Sequence, residues 1–313
     1  ARERGATVLE EARVTEIIHN DAGRVTGVEF SHDGRVHRVS TRLVIDASGR
    51  ANFLGRKLGL RMEHEELKGF SVFAHYEGAR RVEGDPEGDI RLIFDQDMWF
   101  WWAPLKSPKT SVGVVANRER YWEEYAADPE GFYERHLQRC DYIRERVADA
   151  QRITEIRPVS ANGSSYAGYH YTCAELLGDG WALVGDAAGF VDPIFSAGLF
   201  VTQTAAWWLA EALLELDADA WPTRAQLQPY ADRCKREFAE ALDHIKRFAT
   251  YYFDPRFVDF FLSLGSRKPE LRKLYIDTFI AYEPKAIIEF GRLMERMQRM
   301  SRHAPAVEVS RSL

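Results

Sequence analysis

Cysteine is scarce in this sequence of 313 residues: Cys140, Cys173 and Cys234 are the only three. They stand far apart, with neither a CxxC pair nor histidines at ligand spacing. That pattern excludes a disulfide frame and a cysteine zinc site, and it suits reduced thiols in a cytoplasmic protein. Long apolar runs are missing as well. No stretch of about 18 uncharged apolar residues occurs, so no membrane-spanning helix is expected. The N-terminal ARERGATVLEEA has no charged-then-apolar signal pattern. Basic runs are absent and the net charge is −6, with an isoelectric point near 5.9. Nucleic acid is therefore not an expected partner. The histidines His64, His75, His136, His170 and His244 are scattered, and no metal is expected.

What remains is the composition of a globular protein, 45% hydrophobic and 12% aromatic. Its length suggests about two or three domains. ATVLEEARVTEII, VTGVEF and RVHRVS read as strands of a meander, joined by the turns NDAGR and HDG. TRLVIDASGR is an apolar strand running into a glycine turn. Further on, GFSVFAHYEGA, IRLIFD, MWFWWAPL and TSVGVVAN are short, β-branched or aromatic, and predict an antiparallel sheet. Residues 119–150 turn helical. From Leu199, the residues Ala206, Leu209, Leu213 and Leu216 predict one helical stripe. The tail from Leu227 to about Met300 reads as amphipathic helices broken at Pro255, Pro269 and Pro284.

Two strand ends carry the chemistry. WALVGDAAGFVDPIFSAG ends a strand in Gly185-Asp186, continues through Ala187, Ala188 and Gly189, and reaches a helix start near Ser196. Small residues let backbone approach a ligand closely. A carboxylate at a strand end accepts hydrogen bonds from sugar-like hydroxyls, and a helix start offers free N–H groups to an anion. A plain strand–loop–helix joint, with Asp186 in a turn and Ser196 as N-cap, is the structural alternative. Asp46-Ala47-Ser48-Gly49-Arg50 follows the strand LVI in the same style. Two such ends with a sheet between them describe a nucleotide module interrupted by a second domain. Asp192-Pro193 fixes the loop before the helix.

VIDASGR and GDAAGFVDPIFSAG resemble flavin motifs of the class A monooxygenase superfamily, and the second is similar to flavin-dependent halogenases in particular. WFWWAPL at 99–105 resembles their WxWxIP signature, with Trp99, Trp101 and Pro104 in register and Ala103 in place of Ile. The resemblance implies FAD, held by Asp46, Gly49, Gly185, Asp186, Ala187, Ala188, Pro193, Gly198 and Leu199. It also implies chloride or bromide near Ser196, Ala197 and Gly198. Reduced FAD, oxygen and halide would give hypohalous acid, which in the family travels to a lysine beside the substrate. Trp99 and Trp101 would keep the enzyme from acting as a simple monooxygenase; as alternate large residues on a strand they also suit a core. Phe195 stands where tryptophan-specific members carry an acid, which points to a phenolic or pyrrolic substrate, free or tethered to a carrier protein. A separate flavin reductase is the implied partner.

The family's N-terminal GxGxxG and its catalytic lysine segment are not found here. The expectation is an N-terminally incomplete enzyme, and this chain alone is expected to bind FAD poorly. The fold class expected is mixed α/β: a partial FAD-binding Rossmann-like domain at 1–60, an antiparallel-sheet substrate domain at 61–160, the FAD domain continued at 161–216, and a helical region at 217–313. An aromatic hydroxylase or geranylgeranyl-reductase-like enzyme is the alternative. A non-catalytic interaction module using the aromatics from Phe248 to Phe261 is another.

Overall fold

The structure is a computed structural model. It describes residues 1–64, 67, 69–81, 88–95, 97–105, 108–158, 170–190, 192–194, 198–217 and 219–251, with short pieces between 253 and 296. Its elements in chain order begin with β1 (Arg13–His19), β2 (Val25–His32), β3 (Arg35–Ser40), β4 (Val44–Asp46), α1 (Phe53–Lys57) and β5 (Arg61–Glu63). Then come β6 (Gly69–Glu77), β7 (Arg91–Asp95), β8 (Met98–Pro104), β9 (Lys109–Asn117), α2 (Arg118–Ala127), α3 (Pro129–Arg139), α4 (Asp141–Val147), β10 (Gln151–Arg152) and β11 (Arg157–Pro158). The last are β12 (Tyr171–Cys173), β13 (Leu177–Gly178), β14 (Trp181–Leu183), β15 (Gly189–Phe190), α5 (Gly198–Leu214) and α6 (Arg224–Tyr251). The fold is mixed α/β, with two compact units that each take several segments of the chain.

The first unit comprises 1–62, 172–190 and 198–239. Its β1–β2–β3 meander closes as the turn residues dictate. Asp33 and Gly34 both adopt positive φ, 50° and 70°, between the paired residues His32 and Arg35. A two-residue hairpin loop of this kind needs left-handed backbone twice, which Asp-Gly supplies. The first strand starts at Arg13, later than its apolar pattern predicts. Val8 and Leu9 before it are exposed, so no burial draws them into the ladder. A second small sheet runs β13–β14–β4. Against it packs a core of Leu177, Ala182 and Val184 with Ala205 and Leu209 of α5 and Leu227, Tyr230 and Ala231 of α6.

The helical stripe on α5 differs from the one read in sequence. Leu199 is 69% exposed and Ala206 is exposed, whereas Ala205 and Leu209 are buried with Trp208, Ala212, Leu213 and Leu216 beside them. The buried face is set by Thr202, which packs on Gly185, so Ala205 and Leu209 follow it inward. In the tail, α6 runs unbroken to Tyr251 with Pro229 inside it, and Lys268 interrupts the helical pieces just before Pro269. Pro255, Pro284, Tyr252, Phe257, Phe260 and Phe261 lie outside the described residues, as do the side chains of Phe248 and Tyr251.

The second unit is built on an antiparallel sheet of order β10–β6–β9–β8–β7, with β11 also pairing β6. The period-2 pattern sorts its side chains. Phe70, Val72, Ala74 and Tyr76 of β6, Met98, Phe100 and Trp102 of β8, and Val112, Val114 and Ala116 of β9 share one face. They pack on Tyr121, Tyr125, Phe132, Tyr133, Leu137 and Ile143 of the three helices. Asn117 caps α2 by accepting from the Glu119 N–H, and Asp128 caps α3 by accepting from Gly131 N–H, with Pro129 at the first turn. Tyr133 donates its hydroxyl to the Val112 carbonyl at 2.8 Å, tying α3 to the sheet.

Phe132 is fully buried among Phe70, Tyr125 and His136. Phe132→Ala should lower the unfolding free energy by about 3–5 kcal/mol. Urea denaturation measures it, and a loss under about 1 kcal/mol would mean that this face is not a packed core.

Candidate functional site

The two glycine-bearing strand ends lie side by side. β14 pairs parallel with β4, with Trp181 opposite Val44, Ala182 opposite Ile45 and Leu183 opposite Asp46. The Val184 N–H donates to the Asp46 carbonyl at 3.0 Å, and the Val44 N–H donates to the Gly180 carbonyl. Both loops therefore leave the same carboxyl edge of one sheet, the edge where open α/β sheets bind ligands.

Each loop is then held by its own polar groups. Asp46 is buried. Its Oδ1 accepts from Ser48 N–H at 2.8 Å and its Oδ2 from Leu54 N–H at 2.7 Å. The Ser48 hydroxyl accepts from Phe53 N–H. Asn52 adopts φ 48°, which Asn tolerates better than most side chains. Its buried amide crosses to the second loop, donating to the Ala187 carbonyl and approaching Cys173 Sγ at 3.2 Å. Gly55 makes room for that amide, since a Cβ there would lie 2.2 Å from Asn52 Nδ2.

The second loop turns at Gly185, whose φ is +59°. A side chain there would meet Thr202 of α5 at 2.7 Å, so glycine is required both by conformation and by space. Ala187 is buried, and Ala188 accepts from Cys173 N–H at 3.0 Å. Asp186 is half-buried. Desolvation pushes its carboxyl above the usual range, and the Arg50 charge acts in the opposite direction. The Arg50 guanidinium sits 5.6 Å from the centre of the Phe190 ring. A Cβ on Gly198, which opens α5, would stand at ordinary contact distance, 3.8 Å, from Asp186 Oδ1 and Phe190 Cε2.

In the second unit, the tryptophans of the WFWWAP strand divide between faces. Trp102 joins the helix-side core, while Trp99 and Trp101 point to the other face of β8. Trp99 is 1% exposed; Trp101 is half-buried, with its ring centre 6.1 Å from that of Trp99 and 6.0 Å from that of Phe73. The Trp101 indole crosses Gly113, where a Cβ would lie 2.1 Å from it, and donates to Ser111 Oγ at 3.1 Å. In the same unit Asp192 Oδ1 accepts from Ile194 N–H, the turn read for Asp192-Pro193. His170 Nε2 lies 4.0 Å from Asp192 Oδ2, both side chains buried.

The structure thus brings Asp46, Gly49, Gly185, Asp186, Ala187, Ala188, Gly198 and Leu199 into one unit. Pro193, Trp99 and Trp101 belong to the other, and Ser196, Ala197 and Phe195 lie outside the described residues. The helix begins at Gly198 rather than near Ser196. Sequence reading missed Arg50, Asn52, Phe190 and His170. Arg50 was inside a quoted motif. Its signal was the one cation beside a run of small residues. Among the described residues, no group of three or more His, Cys, Asp and Glu side chains is placed to hold a metal ion.

Two loops leaving adjacent parallel strand ends, with an antiparallel sheet inserted between them in sequence, define a Rossmann-like α/β protein with an interrupted nucleotide-type module. The tryptophan halogenase family model matches residues 1–259, and the chain belongs to that family. It is 29% identical over 219 residues to a 1H-pyrrole-2-carbonyl-[peptidyl-carrier protein] brominase of Pseudoalteromonas luteoviolacea, covering 68% of this chain and 52% of that one. To the corresponding chlorinase of Pseudomonas fluorescens it is 31% identical over 209 residues, covering 64% and 44%. The chain therefore spans about half the length of these curated relatives. The solved structure of the flavin-dependent brominase Bmp2 superposes with a TM-score of 0.77 at 26% identity, over 96% of this chain and 73% of that one.

Gly185→Ala should cost about 1–3 kcal/mol from its left-handed φ alone, with the Thr202 clash added. Thr202→Ala in the same chain relieves the clash and leaves the backbone cost, so thermal melting of the double variant should fall between the two. Equal melting of Gly185→Ala and the wild type would contradict the placement of α5.

Proposed function

We propose that this chain belongs to an FAD-dependent halogenase acting on a phenolic or pyrrolic ring, free or tethered to a carrier protein. The observation that supports this reading is the parallel pairing of β14 with β4, from whose ends the two glycine-bearing loops of Asp46 and Asp186 leave side by side. The residues fit a flat, anionic nucleotide. Gly198 stands within van der Waals reach of the Asp186 carboxylate and the Phe190 ring. Reduced FAD, when bound, would supply the two electrons that take one atom of O2 to water, while the other atom oxidises chloride or bromide to hypohalous acid. On this reading Asp186 accepts hydrogen bonds from ribityl or ribose hydroxyls, and the first N–H groups of α5 face negative charge. Asp46 and Asn52 hold the two loops in place. Gly185, Ala187 and Ala188 keep the approach clear. Ser196, Ala197 and Gly198 would take the halide. Trp99 and Trp101 would keep the enzyme from acting as a simple monooxygenase.

Residues 1–60 and 161–216 would then form the flavin side, 61–160 the substrate side and 217–313 a helical region. A separate reductase would deliver reduced flavin in the cytoplasm. Among the described residues, no helix is long and apolar enough to cross a membrane.

The test supplies the protein, as its gene encodes it, with reduced FAD, oxygen and bromide. Pyrrolyl and phenolic substrates are offered free and carrier-bound. A product bearing bromine, found by mass spectrometry, is expected; a hydroxylated product with no halogenation would overturn the assignment.

Ligand binding and stability should separate at two positions. Below the ordinary carboxylate range Asp186 is neutral in folded and unfolded chains alike. As pH rises through its raised folded value, ionisation costs stability that the unfolded chain does not lose. At neutral pH, Asp186→Asn should therefore raise the melting temperature while weakening FAD binding. Gly198→Ala should likewise weaken FAD, its methyl standing at ordinary contact distance, 3.8 Å, from Asp186 Oδ1 and Phe190, with little change in melting. Fluorescence titration and calorimetry read both, and a variant that loses stability and FAD together would argue against these roles.

A further inference from the structure

Asp192 and His170 form a buried pair that the proposed function leaves unused. Both side chains are sealed from solvent, that of Asp192 0% exposed and that of His170 1%. They come from separate segments of the second unit, Glu63–Tyr171 and Val191–Ala197. His170 stands just before β12, and its carbonyl accepts from the His64 N–H at 3.0 Å. The His64 carbonyl in turn accepts from the N–H of buried Leu67. The imidazole is thus mounted on tied backbone. Asp192 opens a turn. Its Oδ1 accepts from the Ile194 N–H at 2.9 Å, Pro193 between them has its φ preset, and Ile194 is buried.

The choice of aspartate is informative. The turn uses one acceptor oxygen, which an asparagine supplies without a charge. A carboxylate adds buried negative charge, which costs free energy unless a cation or a donor answers it. Its second oxygen, Oδ2, lies 4.0 Å from His170 Nε2. That is ion-pair range and longer than a direct hydrogen bond, so the imidazole acts on the carboxylate through its field. Holding the carboxylate holds the turn, because the same side chain carries the Ile194 amide on its other oxygen.

We propose that His170 is a positioning residue for halogenation. Through Asp192 it fixes the Asp192–Ile194 turn, and with it Pro193, the residue of this turn that the family resemblance sets against FAD. This rests on the halogenase reading and adds to it a residue that acts through another. Reaction geometry is sensitive to such support, since a misplacement of about 1 Å can cost on the order of a hundredfold in rate.

The experiment uses the protein as its gene encodes it and compares the wild type with His170→Gln, His170→Phe, Asp192→Asn and the His170→Phe/Asp192→Asn double variant. Each is given reduced FAD, oxygen, bromide and the substrate that the wild type brominates, and brominated product is counted per reduced FAD consumed. His170→Phe keeps a ring and loses its polar edge, and should lower that yield about ten-fold, the loss of one contact to a charged group. Asp192→Asn keeps the turn's acceptor and should lower the yield by a similar factor. His170→Gln restores a side-chain N–H and should recover part of the loss. Because both residues act through one pair, the double variant should do no worse than the poorer single variant.

Losses that multiply in the double variant overturn the proposal. So does a melting temperature that falls while the yield per FAD holds, the mark of a purely structural pair. Independently of activity, nitrogen NMR of histidine-labelled protein should show the His170 Nε2 resonance moving in Asp192→Asn; an unmoved resonance overturns the proposal with the halogenase reading intact. A wild type that makes no brominated product removes both readings. Should His170→Phe not fold, His170→Gln and Asp192→Asn decide, since wild-type yield in both overturns the proposal.

Discussion

Everything at the candidate site depends on one pairing: the short parallel ladder between β4 and β14. It joins segments whose bridging residues Asn52 and Ala187 lie 135 positions apart. Parallel strands cannot be linked by a tight turn and need a long connection. Here that connection carries Glu63–Tyr171, the sheet-bearing segment of the second unit. The ladder is only three residue pairs long, so side chains and loops must reinforce it. Asn52 does so from one loop to the other, and Tyr230 of α6 donates to the Leu183 carbonyl at 2.6 Å. Without the pairing, Asp46 and Asp186 would be two unrelated turns.

The site separates scaffolding polar groups from groups left for chemistry. Asp46 and Asp186 follow similar strands, yet Asp46 spends both carboxylate oxygens on backbone amides of its own loop. Asp186 is half-buried, and burial disfavours its charge. A fold that retains an ionised group at a cost to its own stability fits the general tension between stability and function. The same contrast holds among glycines. Gly185 and Gly55 are demanded by packing, whereas a Cβ on Gly198 would stand at ordinary contact distance from Asp186 and Phe190.

The tryptophan strand shows how one period-2 pattern serves two ends. Met98, Phe100 and Trp102 hold the helices to the sheet, and the residues between them, Trp99 and Trp101, are free of that duty. Trp101 is fixed over Gly113 by its hydrogen bond to Ser111. A large ring lying flat on a glycine is positioned by backbone on one side and Phe73 on another, so its orientation is set within this unit.

Much of this was legible in the sequence. Hairpin turns, strand alternation, helix caps and the two glycine–aspartate motifs are local signals, set by backbone sterics and by hydrogen bonds that reach a few residues. The meander, the antiparallel sheet and the helices over 118–147 follow from them. Other features are decided only when distant segments meet. Which stripe of α5 faces inward depends on Thr202 meeting Gly185, and a helix with apolar residues all round carries no pattern that names its buried face. The unequal duties of Asp46 and Asp186, the crossing amide of Asn52, and Arg50 beside Phe190 and Asp186 arise from side chains meeting across loops far apart in the chain. Local sequence determined where the chain turns and which residue types stand at each strand end. The tertiary structure decided which polar groups tie the loops together and how deeply each is buried, because that depends on partners that spacing does not encode.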